Sequence, residues 1–147
     1  MTPSGVDLKV VADRQEAVAT YLEQLRDLPI SRDEFLADHR NVNSAESLIR
    51  RSLEALLDIA RHLLAKGHGR ATLEYREIAK LSHELGLLPD AELAGRFERM
   101  AGFRNRMTHF YREVTPQELF DPVSLHLDDI EAVARGLDEA AARLAAT

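Results

Sequence analysis

Ile49-Arg50-Arg51-Ser52-Leu53-Glu54-Ala55-Leu56-Leu57-Asp58-Ile59-Ala60-Arg61-His62-Leu63-Leu64 decides the fold class. Ile49, Leu53, Leu56, Leu57, Ala60, Leu63 and Leu64 recur at intervals of three and four, the period of a helix with one apolar stripe. Arg51, Glu54, Asp58 and Arg61 form a charged row at the same spacing, and most such rows are solvated faces. Working outward, Gly67 and Gly69 end this helix on one side. On the other, Ser31-Arg32-Asp33-Glu34 reads as a capping box that opens it, with a break near Asn41-Val42-Asn43. An earlier helix runs from about Leu8 to Leu28, with Val11, Val18, Tyr21, Leu22, Leu25 and Leu28 on one face and Pro29 as its stop. Downstream, a short helix spans Leu73 to Leu85 before Gly86, and Pro89-Asp90 opens another that turns Leu93, Phe97, Met100 and Ala101 inward. Thr115 caps a further start with Pro116 at the first helical position. The last helix carries Leu127, Ile130, Ala134, Leu137, Ala141 and Leu144 on one side. No segment alternates with period two over a useful length. The expectation is an all-α fold, an up-and-down four-helix bundle with one or two short extra helices. It forms one domain, 1–147, with its core over about 8–144.

Composition narrows the function. A chain of 147 residues can bury roughly two-thirds of its unfolded surface as a single domain. The absence of cysteine excludes a disulfide scaffold and a thiolate metal site. The start, Met1-Thr2-Pro3-Ser4-Gly5, lacks the basic and apolar regions of a secretory signal, and no apolar run reaches membrane-spanning length. A cytoplasmic protein without a membrane partner is expected. A net charge of −6 argues against broad binding to duplex DNA, which needs a basic face to release counterions. A small RNA-cleaving cleft remains open, because a few arginines can make one region positive within an acidic shell. So does a basic protein partner.

The chemistry concentrates in Arg104-Asn105-Arg106-Met107-Thr108-His109-Phe110-Tyr111, where the helical pattern stops. Its frame is R-x4-H-x-Y. A guanidinium is always charged and forks onto phosphate oxygens, and an imidazole exchanges protons near neutral pH. Together they suffice to cleave a phosphodiester, Arg104 neutralising the phosphorane and His109 moving protons. Arg104 also continues the inward stripe of Phe97 and Met100, so it could instead be a buried cation paired with Glu54 or Asp58. His109 lies about 140° around an ideal helix from Arg104, so the two can meet only if the helix ends or unwinds near Met107-Thr108. A histidine at such an end could equally be a partner for the helix dipole. Asn105 can orient Arg104 or touch substrate, and Arg106 is expected to face solvent or a partner. Arg96, Arg99, Arg104, Arg106 and Arg112 are the one local concentration of positive charge. The remaining histidines, His39, His62, His68, His83 and His126, lack metal-ligand spacing, and no glycine-rich phosphate loop is present. Neither metal nor cofactor is expected.

R-N-x-x-x-H-x-Y after Phe97-Glu98-Arg99-Met100-Ala101-Gly102-Phe103 resembles the HEPN superfamily, in particular its HepT toxin branch. Asn43-Ser44-Ala45-Glu46-Ser47-Leu48, Asp58-Ile59-Ala60-Arg61-His62-Leu63 and Tyr75-Arg76-Glu77-Ile78 resemble earlier segments of the same family, so the likeness extends from roughly Leu8 to Leu144. It implies an all-α symmetric dimer that cleaves RNA without metal. It also implies a small nucleotidyltransferase antitoxin that attaches AMP to Tyr111. In such a dimer the charged row would line the cleft, with Asp58 or Glu54 holding Arg104. One histidine can hardly serve both proton transfers in a single step, and a two-fold dimer supplies two. The competing reading from another class is a non-catalytic helical module that binds a nucleotide or a protein.

Overall fold

The apolar stripe of the central helix is buried as its period requires. In the computed structural model, which describes residues 5–71, 74–108 and 114–147, that helix is α3, His39–His68. Ile49, Leu56, Leu57, Ile59, Ala60, Leu63 and Leu64 on it are at most 1% exposed, so the stripe faces protein along its length. Around it stand α1 (Leu8–Arg26), α5 (Ala91–Thr108) and α7 (Leu127–Ala145), with α4 (Tyr75–Glu84) and α6 (Pro116–Leu125) as short additions and α2 (Arg32–Ala37) as a brief six-residue turn of helix. All regular structure among the described residues is helical.

The long helices alternate in direction. The N–H of Asp7, at the start of α1, donates to His62 Nε2 near the end of α3 at 2.9 Å. Arg26, at the far end of α1, pairs with Glu131 early in α7 at 2.6 Å. Gly67 lies against Leu144 where α3 and α7 both finish, so those two run together and α1 against them. Leu93 packs beside Gly136 while Arg96 reaches back to Asp129, which sets α5 against α7. This is the expected up-and-down four-helix core. Leu22, Leu25, Phe97, Val133, Leu137 and Ala141 join the α3 stripe in one core cluster, each at most 3% exposed.

Several boundaries move for local reasons. α1 ends at Arg26 and not Leu28, because the N–H groups of Asp27 and Leu28 turn back to Gln24 and Leu25 carbonyls ahead of Pro29. Ser31 caps only the short α2, its hydroxyl accepting from the Glu34 N–H. The break falls at Asp38, upstream of Asn41-Val42-Asn43. Asp38 is extended (φ −129°, ψ 114°), and its carboxylate accepts the Arg40 N–H at 2.9 Å, so it closes α2 and caps α3. Hydrogen bonds from the Arg40 side chain and backbone pull the Asp38 carboxyl down to about 2. Gly67 sits inside α3; Gly69 terminates it with φ 64°, a conformation that costs glycine little. The short helix after it begins at Tyr75, and the expected start at Leu73 lies outside the described residues. Thr115 and Glu118 form a complete capping box with Pro116 behind it.

Candidate active site

Arg104 projects from the last turns of α5 toward the charged row of α3. Its Nε and Nη2 both donate to Glu54 Oε2, at 2.9 and 2.6 Å, and its Nη1 contacts Asn105 Oδ1 at 3.5 Å. Of the two carboxylates named in the sequence, Glu54 is the one that holds it. Arg50, one turn before Glu54, contacts Glu54 Oε1 at 3.5 Å and Glu46 at 3.2 Å, so the carboxylate is itself tethered on its other oxygen. A guanidinium offers five N–H donors, and the contacts to Glu54 and Asn105 use one from each nitrogen. One hydrogen remains on each of Nη1 and Nη2, available to donate to phosphate oxygens. The Arg104 and Glu54 side chains are 23% and 24% exposed, partly desolvated yet open to a ligand.

Asp58 has a different task from the one expected. It accepts from the Tyr75 hydroxyl at 3.3 Å and pairs with Arg61 Nη1 at 3.5 Å. Tyr75, from the first turn of α4, holds its ring within cation–π reach of two guanidiniums: Arg104 is 4.4 Å and Arg61 5.1 Å from the ring centre. Burial first, then the Asp58 carboxylate, push the Tyr75 hydroxyl above its ordinary range, against the opposing pull of Arg104 and Arg61. The phenol therefore stays protonated and keeps donating. Tyr75 and Arg61 were not among the candidate site residues. Tyr75 shares no helix with Arg104, so no spacing rule links them. Arg61 was visible only as a member of the charged row.

Arg61, Glu74, Tyr75, Arg76, Arg104, Asn105 and Thr108 line a cavity of about 500 Å³ beside this cluster. α5 is helical through Thr108. His109, Tyr111 and Arg112 lie outside the described residues. Arg106, expected to face solvent or a partner, pairs with Glu118 at 2.8 Å, and this contact leads the causes that lower the Glu118 carboxyl. Arg96 is taken up by Glu92 and Asp129. Of the expected basic cluster, Arg96, Arg104 and Arg106 are thus paired with carboxylates, and among the described residues Arg99 is not. Among the described residues no three His, Asp or Glu side chains gather as a metal site, and no helix is long and apolar enough to cross a membrane.

Comparison with known proteins places this geometry. The family model described as "Ribonuclease HepT-like" matches residues 18–137. A curated relative from Aphanizomenon flos-aquae, named tRNA nuclease HepT, is 26% identical over 137 residues, which is 92% of either chain. The solved tri-AMPylated HEPN toxin of Shewanella oneidensis, in complex with MNT antitoxin, superposes with a TM-score of 0.80 at 20% identity, covering 88% of this chain and 97% of that one. A toxin–antitoxin structure with AMP-PNP superposes at 0.75 and 20% identity, covering 87% and 97%. At these identities the solved structures establish the fold.

Proposed function

Because the chain belongs to the HepT-like ribonuclease family, we propose that it is a metal-independent endoribonuclease, the toxin half of a toxin–antitoxin pair. The observation that carries this reading is Arg104, held from one side by Glu54 and Tyr75 and left with a donor pair facing a cavity at the end of α5. RNA supplies its own nucleophile, the 2′-hydroxyl. As that oxygen attacks the adjacent phosphorus, the 2′ proton passes to one His109, and the other His109 of a two-fold dimer protonates the departing 5′-oxygen. The products are a 2′,3′-cyclic phosphate and a free 5′-hydroxyl. Arg104 spreads the charge of the phosphorane, and this term grows as the phosphorane forms. Glu54 and Asn105 hold the guanidinium, and Asp58 acts through Tyr75. The dimer brings two such half-sites together.

The relatives supply the regulation. The Shewanella oneidensis toxin carries AMP and binds the MNT antitoxin, and Tyr111 is the residue of this chain proposed to accept AMP from a nucleotidyltransferase. An adenylate there adds negative charge and bulk where the phosphate must approach. The compartment is the cytoplasm, where an RNA-cleaving toxin meets its substrate. The short Arg104–Glu54 contact is also what a purely structural arginine would make, so the non-catalytic module is the reading to test against. Arg104→Ala and His109→Ala should each abolish RNA cleavage while the protein stays folded and dimeric. No cleavage by the parent, with loss of the dimer in either variant, favours the module. Co-expression with the nucleotidyltransferase should add whole AMP units in mass, silence cleavage, and do neither in Tyr111→Phe.

A further inference from the structure

A second groove opens beside the site, between α4 and α5, with a volume of about 690 Å³. Arg76 and Lys80 stand one turn apart on α4, and Arg99 faces them from α5. Among the described residues none of the three has a carboxylate partner, whereas Arg26, Arg50, Arg96, Arg104 and Arg106 all do. All three are exposed. In a chain of net charge −6, three unneutralised cations in one groove are a local reversal of sign. Glu98 is the single carboxylate on its wall besides them. The floor is kept low by glycine: Gly95 and Gly102 share the α5 stripe of Arg99. A Cβ at Gly102 would stand 3.5 Å from Arg76 Nη2, against the guanidinium that crosses it. Phe103, partly buried, adds an aromatic face to the same groove. Arg76 also lines the cavity beside Arg104, so the two spaces adjoin.

Cations along a backbone track with an aromatic side chain between them are what a single strand of nucleic acid uses, through phosphate charge and base stacking. We infer that the α4–α5 groove binds the single-stranded RNA flanking the cleaved phosphate, with Arg76, Lys80 and Arg99 on its phosphates and Phe103 against a base. The inference rests on the ribonuclease reading for its substrate and not for its binding chemistry.

The test is anisotropy of a labelled 2′-O-methyl oligoribonucleotide, which binds without being cut, over a salt series with the full-length protein. Combining Arg76→Ala, Lys80→Ala and Arg99→Ala should weaken binding ~10–100-fold. The slope of log K against log salt should become shallower by about 2, from ~0.7 per lost phosphate contact. Phe103→Leu should weaken binding with the slope unchanged. Arg76→Lys with Arg99→Lys should keep the parent slope, since the charges remain. Unchanged affinity and slope in the alanine variant overturn the inference, as does an equal loss in the lysine variant. Loss of the dimer, or release of the nucleotidyltransferase with RNA binding intact, would make the groove a protein interface and also overturn it. If the parent binds through the groove but cuts no RNA, the ribonuclease reading fails and the groove stands. If the parent cuts RNA and the triple variant does so with unchanged KM, the groove fails alone.

Discussion

Glu54→Gln tests whether the site is built to aim Arg104. The substitution keeps the shape and one carbonyl acceptor and removes the charge that two Arg104 donors share at 2.6 and 2.9 Å. At an effective dielectric of ~20 a unit ion pair at close range is worth about 4 kcal/mol before desolvation. Both side chains are roughly a quarter exposed, so screening and desolvation reduce this to about 1–2 kcal/mol of fold stability. The catalytic effect should be larger than that loss suggests. With the neutral amide Arg104 samples other rotamers, and misplacement by ~1 Å can cost about 100-fold. kcat should fall roughly 10–100-fold. KM should hold or fall, because a carboxylate that repels the substrate phosphate has gone. Steady-state cleavage of a fluorogenic RNA oligonucleotide reads the split, with urea melts of both proteins confirming the small stability change. An unchanged kcat, or a rise in KM alone, would refute the claim that Glu54 orients Arg104.

Other expectations follow from single contacts. Tyr75→Phe keeps the ring under Arg104 and loses only the hydroxyl bond to Asp58, so kcat should drop by no more than ~3-fold; Tyr75→Leu removes the stack, about 0.5–1 kcal/mol per cation, and should drop further. Equal rates for the two would show that the ring does not position Arg104. Gly136→Ala puts a Cβ 2.7 Å from Leu88 Cδ2 and 3.4 Å from Leu93 Cδ2, and Leu88 is 1% exposed. The overpacking should outweigh the gain in helix propensity and lower stability by about 1–2 kcal/mol in urea titration, and a stabilised variant would contradict it. His62 accepts the Asp7 N–H, so it must be neutral there, and burial holds its imidazole below the ordinary 6.5 although the Asp7 carboxylate opposes this. The unfolded chain then takes the proton first. Stability from this contact is full above about 6.5 and is lost as the pH falls from there through the folded value. The Tm should decline between about pH 7.5 and 5.5 more in the parent than in His62→Gln, and parallel curves would rule the contact out.

What could be read in advance divides by range. The stripe from Ile49 to Leu64 and the Thr115–Glu118 box are patterns within one helix or one turn, and both appear as their chemistry requires. The break at Asp38 was hidden by continuity: Asn41, Val42 and Asn43 look less helical, yet the decisive event is a capping carboxylate three residues earlier. Arg104 demanded a carboxylate, and the sequence could reduce the choice to Glu54 or Asp58 because those two share the facing row. It could not choose between them, since the choice depends on how far α5 is rotated against α3. Tyr75 was illegible for a related reason. Its place under Arg104 is created by the packing of α4 across both α3 and α5, and nothing in residues 74–77 encodes that crossing. Arg106 is exposed, in line with its expected place facing solvent or a partner, but its ion pair is not legible in the sequence because Glu118 belongs to another helix that begins only after the Thr115 cap.

An acidic chain and a phosphate-binding role are compatible here because charge is sorted by helix. On α7, Asp129 and Glu131 take up Arg96, Arg26 and Arg135, so much of that helix's negative charge is paired. On α3, Glu54 and Asp58 are committed to Arg50, Arg104 and Arg61, and the row that looks neutral in sequence becomes a rigid support for one guanidinium. That rigidity comes from the core: Leu53 and Ala55, on either side of Glu54, are 3% and 7% exposed, so the carboxylate projects from backbone that cannot shift without opening the bundle. On α4 and the facing stripe of α5, by contrast, Arg76, Lys80 and Arg99 are left uncompensated. A phosphate responds to the field within about a Debye length, ~8–10 Å, and not to the net charge of the whole molecule. The lining of the groove carries Arg76, Lys80, Arg99 and Arg106 against Glu98, so its formal charge is positive although that of the chain is −6.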